Sequence, residues 1–174
     1  MQTLFSGKIM KSCVLALALG LLVMLPTPTS LAAELSAPLP VTFADSQAAL
    51  AYYLDLVETL DVTTGIGKSV FYSGAGNRKL AEQFAQSDDK TTLEMTPGGK
   101  YLDDLKLFDN GSPVTPDAAL RVWKRLSQRY AQQAAGDVFC FVAGARPTGV
   151  FTTVELPELK RSRKVGVMYS VSSL

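Results

Sequence analysis

Residues 138–143 read Val-Phe-Cys-Phe-Val-Ala, an unbroken apolar run with Gly136 before it and Gly144 behind. No polar residue interrupts the run, so neither of its sides is made for water. A strand with one wet face alternates; a short continuous apolar run suits a strand in a sheet covered on both faces. Such a sheet is mostly parallel, and its strands must be joined by crossovers, usually helices. Residues 69–72 read as a strand end, and residues 165–171 as a further strand. Residues 150–156, Val-Phe-Thr-Thr-Val-Glu-Leu, also read as a strand candidate.

The helix signals lie mostly before these segments. Asp45 or Ser46 caps a helix running to about residue 60, with Leu50, Leu54 and Val57 on one face. Ser73-Gly74-Ala75-Gly76-Asn77 reads as a turn. Asn77 is then expected to cap a helix through about Gln86, with Leu80, Ala81 and Phe84 inward. A short helical segment is expected at residues 101–105. Thr115-Pro116-Asp117 is the strongest start signal: a capping hydroxyl, a proline in the first turn and an acid near the positive end of the dipole. Gly136 is its natural stop. On that helix Trp123, Ser127, Tyr130 and Ala134 share a face by their spacing. The expected class is α/β, an N-terminal helical part packed on a small C-terminal, mostly parallel sheet.

The first residues are expected to lie outside this fold. Lys8 and Lys11 precede an apolar run from Val14 to Leu25, which is too short to span a bilayer. Pro26 and Pro28 end it, and small residues follow at Ser30, Ala32 and Ala33. This is the pattern of a secretory signal peptide over residues 1–33, cleaved after Ala32 or Ala33. Residues 34–41 read as a proline-rich linker, and residues 42–174 as one domain. Cleavage leaves roughly 140 residues, enough for a single core. It leaves no stable membrane anchor, and a secreted or periplasmic location follows.

Composition removes several chemistries. The chain has no histidine, which excludes Ser-His and Cys-His nucleophile pairs, imidazole acid-base work and His-based zinc sites. No metal-ligand cluster is expected. After cleavage the one remaining cysteine is Cys140, inside the apolar run, so no internal disulfide braces the domain. Cys140 itself reads as a small core residue. Lys and Arg total 17 against 16 Asp and Glu, a net charge of +1, which makes no field for nucleic acid. The run Lys160-Arg161-Ser162-Arg163-Lys164 reads as a solvated loop.

Thr92-Leu93-Glu94-Met95-Thr96-Pro97-Gly98-Gly99-Lys100 sets a carboxylate between two threonines ahead of a Pro-Gly-Gly turn signal. Such turns hold the preceding residue in place. Further polar and aromatic groups fit a plain core badly. They are Tyr72 and Ser73 at a strand-to-turn junction, Asp103, Trp123 and Ser127 one helical turn apart, and Glu155 on the expected strand. Carboxylates, aromatic rings and small hydroxyls without histidine suit cleavage of a glycosidic bond. There a carboxylate stabilises cationic charge growing on the sugar.

These residues resemble the ADP-ribosyl cyclase / NAD glycohydrolase family. Its TLEDT motif is matched by Thr92-Leu93-Glu94-Met95-Thr96, and its FWSG or FWSR lead-in by Phe71-Tyr72-Ser73-Gly74. Ala81-Glu82-Gln83-Phe84-Ala85 matches a helix end, and Asp103-Asp104-Leu105 the family's DDL. Residues 122–138 look like its tryptophan helix. Phe151-Thr152-Thr153-Val154-Glu155-Leu156 resembles the segment that carries the catalytic glutamate. The likeness runs from about residue 71 to residue 159.

What the resemblance implies can be stated residue by residue. Glu155 matches the catalytic glutamate that holds the ribose hydroxyls and stabilises the cation. Glu94 matches a glutamate that contacts the nicotinamide carboxamide and partitions the intermediate. Trp123 matches a ring of the nicotinamide pocket, and Tyr72 stands where the family has its other tryptophan. Ser73 and Ser127 match residues near the phosphates and the reacting ribose, Asp103 a carboxamide contact, and Phe151 a substrate-binding position. NAD or NADP is then the substrate rather than a cofactor. An exported enzyme of this kind suits a toxin or effector, with a proteinaceous inhibitor as a partner. The departures are Tyr72, Met95 in place of the acid of TLEDT, and the missing disulfides. They leave open an alternative: a catalytically weak nucleotide- or protein-binding module on the same fold.

Overall fold

The computed structural model describes residues 42–171; the expected signal peptide and linker lie outside the described residues. The first element, α1 (Ser46–Thr59), begins where Asp45 accepts hydrogen bonds from the Gln47 and Ala48 amides at 2.9 and 2.8 Å. It buries Ala49, Leu50, Tyr53 and Val57. Strand β1 (Val70–Tyr72) follows, then α2 (Ala75–Ser87), a 3₁₀ turn (Leu93–Met95) and α3 (Pro97–Asp104). The long helix α4 (Pro116–Gln133) leads into β2 (Gly136–Phe141). A π-helical turn (Phe151–Glu155) runs directly into α5 (Leu156–Arg161), and β3 (Val165–Ser170) comes last.

The three strands form one parallel sheet in the order β1-β2-β3. The apolar run therefore lies in the central strand. Val70 pairs with Phe139 and Tyr72 with Phe141, while Cys140 faces Ser170 on the other side. Alternation divides the sheet's side chains between two cores. Phe71, Val138 and Cys140 join the large core with α1, α3, α4 and α5. Val70, Phe141 and the partly buried Tyr72 and Phe139 pack with α2 through Ala81 and Ala85. Helices cover both faces, as the unbroken run required. The edge strand β3 is barely covered, and Val167 and Tyr169 are 52% and 44% exposed. The residues from Lys160 to Lys164 lie at the surface, apart from a half-buried Ser162.

Two polar contacts lock the layers. The Tyr130 hydroxyl, buried under α4, donates to the Thr91 carbonyl at 2.6 Å and accepts from the Val70 amide at 3.1 Å. The Arg129 guanidinium donates to the carbonyls of Val57 and, at 2.8 Å, Leu60. It thereby satisfies the unpaired C-terminal end of α1.

Three expectations need correction. Residues 150–156 are not a strand. Phe151, Glu155 and Leu159 are buried on one helical surface instead, and Pro157 sits in the first turn of α5, where a proline starts a helix. Short apolar-polar segments of this length fit both periods. Helix α2 starts earlier than Asn77. Gly74, at φ 89°, turns the chain straight into it, and the Asn77 side-chain Nδ2 donates to the Ser73 and Ala143 carbonyls at 2.7 and 3.0 Å. The Pro-Gly-Gly stretch is not a free turn but the first turn of α3, capped by Thr96.

Candidate active site

In parallel sheets the carboxyl ends of the strands leave a crevice where ligands bind. Here the ends of β1 and β2 open into a cleft of about 800 Å³, roofed by α4, by the start of α2 and by the chain from residue 143 to 155. Tyr72, Ser73, Glu94, Trp123, Ser127, Phe151 and Glu155 all line it. Asp103 does not. It lines an adjoining cavity of about 380 Å³ that shares Glu94, Phe108 and Trp123 with the cleft. Its carboxylate pairs with Arg78 at 3.5 Å and Lys106 at 3.7 Å.

The Thr92 to Gly99 segment is built to hold Glu94. Thr92 and Thr96 are buried. The Thr96 hydroxyl donates to the Leu93 carbonyl at 2.6 Å and accepts from the Gly99 amide at 2.9 Å. The 3₁₀ turn and α3 close so tightly that a Cβ on Gly99 would lie 1.8 Å from the Leu93 oxygen. On the resulting platform Glu94 is half-buried. Its Oε1 accepts from the Tyr72 hydroxyl, while Oε2 is buried without a protein partner. Burial raises the Glu94 pKa, and the Tyr72 hydrogen bond and the Arg78 charge work against that rise. Burial and the Glu94 carboxylate in turn keep the Tyr72 phenol protonated.

Glu155 is reached from the other wall. The π-helical turn adds a residue to each turn and so redirects side chains, a feature frequent at functional sites. It turns Glu155 inward to 7% exposure, against Ser127, itself 6% exposed. Burial first, and the Glu94 charge second, push the Glu155 carboxyl up to about 8; the Ser127 hydroxyl acts in the opposite direction. Trp123 stands one turn from Ser127 on α4, half-buried, with its ring on both the cleft and the adjoining cavity. Cys140 lies below, its thiol pushed up to about 12 by burial and by Glu155, so it stays a protonated core residue.

The arrangement therefore offers a wide cleft with one deeply buried carboxyl, a second, half-buried one, two aromatic walls and small hydroxyls. Such a site can hold a flat cationic ring and stabilise positive charge beside it. Among the described residues no group of three or more His, Cys, Asp or Glu could hold a metal ion. No helix among them is long and apolar enough to cross a membrane.

Two lining residues escaped the sequence reading. Arg146 follows the carboxyl end of β2 and enters no ion pair among the described residues. Phe108, 54% exposed, stands where cleft and adjoining cavity meet. The signal for Arg146 was its place just beyond a buried parallel strand, which is where such sheets bind ligands.

No protein-family model matches the chain, and no curated protein sequence matches it. Solved structures do. Aplysia cyclase complexed with substrate NGD and product cGDPR is 25% identical with a TM-score of 0.54, over 70% of this chain and 55% of that one. Porcine CD38 complexed with a covalent intermediate, ribo-F-ribose-5'-phosphate, is 27% identical with a TM-score of 0.53, over 68% of this chain and 58% of its own. A further CD38 structure, at 23% identity and a TM-score of 0.54, covers 77% of this chain and 63% of its own and shows the fold alone. The fold is that of the ADP-ribosyl cyclases. The chain resembles the ADP-ribosyl cyclase / NAD glycohydrolase family as a divergent relative that spans little more than half the length of the structures it matches.

Proposed function

We propose that this protein is an NAD glycohydrolase that cleaves the bond between nicotinamide and ribose, with NAD or NADP as substrate. The observation that carries the reading is the placement of Glu155, buried in a cleft shared with Glu94, Trp123 and Ser127. The nicotinamide of NAD is a cationic leaving group. When the ribose C1'–N1 bond breaks, its electron pair goes to N1 and nicotinamide departs neutral, so no general acid is required. The positive charge passes to the ribose, and an ionised Glu155 is placed to stabilise it. Water then adds to C1' and gives up a proton, so NAD and water become nicotinamide, ADP-ribose and a proton. Attack by the substrate's own adenine would give cyclic ADP-ribose instead.

Several features support a preference for water. The cleft is large and open, Tyr72 is smaller than a tryptophan, and Met95 is no acid. Folding adenine back onto the sugar needs a close pocket from which water is kept out. With the signal-peptide pattern of residues 1–33, the enzyme is read as secreted or periplasmic, acting as a toxin or effector, with an inhibitor protein guarding the producing cell.

The test is an end-point incubation of the purified mature chain with NAD, followed by product chromatography. Nicotinamide and mostly ADP-ribose are expected, and the yield is expected to survive a chelator. Absence of nicotinamide would overturn the reading. Mostly cyclic product would overturn the preference for water.

A further inference from the structure

β1 ends on Tyr72, whose hydroxyl donates to Glu94 Oε1. This leaves Glu94 Oε2 as a buried acceptor with no protein partner, on a residue that lines both the cleft and its neighbouring cavity. Buried polar atoms are nearly always satisfied, and an exception calls for a specific reason. An ionised carboxylate oxygen can only accept. We infer that Tyr72 is a positioning residue for Glu94: its hydroxyl fixes one carboxylate oxygen so that the other is presented to an N–H or O–H donor of the substrate.

Tyr72 is then more than a wall of the cleft. The Thr96 clamp sets the backbone of the 3₁₀ turn but does not touch the carboxylate. The remaining freedom is in the Glu94 side chain, and the Tyr72 hydroxyl is its one hydrogen-bond partner among the described side chains. Fixing it before the substrate arrives lowers the ordering cost of binding. The charged groups around Glu94 come from several elements. Arg78 and Glu82 face it from α2, Glu155 from the π-helical turn, and Asp103, Lys106 and Asp109 across the adjoining cavity. Of these, Arg78 favours the ionised form and Glu82 opposes it.

The substrate part of this inference rests on the glycohydrolase reading, so two measurements keep them apart. The first is a pH titration of Glu94 by carbon NMR with labelled glutamate, in Glu155→Gln and in Glu155→Gln with Tyr72→Phe. The Glu155 change removes one coupled carboxyl, and the Glu94 signal is assigned as the one missing from Glu94→Gln. Loss of the Tyr72 hydroxyl is expected to move the Glu94 midpoint to higher pH. An unmoved or lowered midpoint overturns the inference, whatever the enzyme does to NAD. The second is a double-mutant cycle on kcat/KM for nicotinamide release. Tyr72→Phe is expected to lower it about tenfold in the native background and to cost nothing further beside Glu94→Ala, which removes the acceptor. Equal losses in both backgrounds overturn the positioning role, because a mere wall would act independently of Glu94. A native chain that releases no nicotinamide overturns the glycohydrolase reading, and the NMR titration alone then judges the pair.

Discussion

Glu94 raises the pKa of Glu155: the two carboxyls line one cleft, and after burial the Glu94 charge is the main reason the Glu155 value reaches about 8. A cation brought into the cleft offsets both effects. The free protein thus holds Glu155 largely protonated at neutral pH, and on the proposed reading the cationic nicotinamide ring of the substrate draws it toward the ionised form.

This gives a pH dependence with a definite sign. On the proposed mechanism the ionised form stabilises the ribosyl cation, so kcat/KM is expected to rise with pH through about 8. Removing the like charge by Glu94→Gln is expected to move that limb to lower pH. Initial rates of nicotinamide release across pH, for both proteins, check it. A limb that stays in place would mean that Glu94 does not act on Glu155.

The same buried carboxyl is expected to weaken the fold. Below the ordinary value of 4.5 both the folded and unfolded chains carry the proton, and Glu155 costs nothing. As pH rises from there toward 8, the unfolded chain releases the proton while the folded chain keeps it, so stability falls. Glu155→Gln should therefore stabilise the protein at pH 8 by on the order of 3 kcal/mol and have little effect at pH 4. Urea unfolding at the two pH values measures this. Equal effects at both would show that the carboxyl is not held protonated.

Gly99→Ala is expected to destabilise the fold and abolish activity together. Its Cβ would meet the Leu93 carbonyl oxygen at 1.8 Å and force apart the 3₁₀ turn and α3, the platform that carries Glu94. Lys100→Ala, at the exposed neighbouring position, should change stability by less than about 0.5 kcal/mol. Thermal unfolding and nicotinamide release of the pair separate backbone crowding from a general intolerance of change in α3.

Tyr130→Phe should cost about 1 kcal/mol, because the hydroxyl's bonds to the Thr91 carbonyl and the Val70 amide are lost, although those two groups keep their own 2.9 Å hydrogen bond to each other. Since Thr91 leads into the Glu94 turn, kcat/KM should fall as well. Denaturant midpoints and initial rates on the same preparations test both parts. Native stability would deny the clamp its role.

How much of this was legible depends on the range of the forces involved. Asp45 and Thr115-Pro116 announced α1 and α4 because capping is a contact between near neighbours. The run from Val138 announced a doubly covered strand because burial on both faces leaves no polar position. The π-helical turn was not legible, since Val-Phe-Thr-Thr-Val-Glu-Leu fits a strand equally well locally; packing of Phe151 and Leu159 on the core decides it. Glu155 was singled out by resemblance to a motif, although its element was misread. Arg146 and Phe108 were missed because only the sheet order brings the end of β2 beside the end of β1 and sets the α3–α4 loop over both. Asp103, read as a substrate contact, pairs with Lys106 three residues on and with Arg78 of α2; the second pairing joins two elements, and its local sequence does not announce it.

The central claim is that the charge of Glu155 stabilises the ribosyl cation. Glutamine keeps the size and hydrogen-bonding reach of this residue and removes the charge. The deciding measurement is the turnover of NAD by Glu155→Gln, with its NAD affinity and its circular dichroism spectrum recorded beside it. The account predicts a folded protein whose turnover falls a hundredfold or more, a loss of about 3 kcal/mol in transition-state stabilisation, while affinity falls far less. Near-native turnover in a folded Glu155→Gln protein would contradict it.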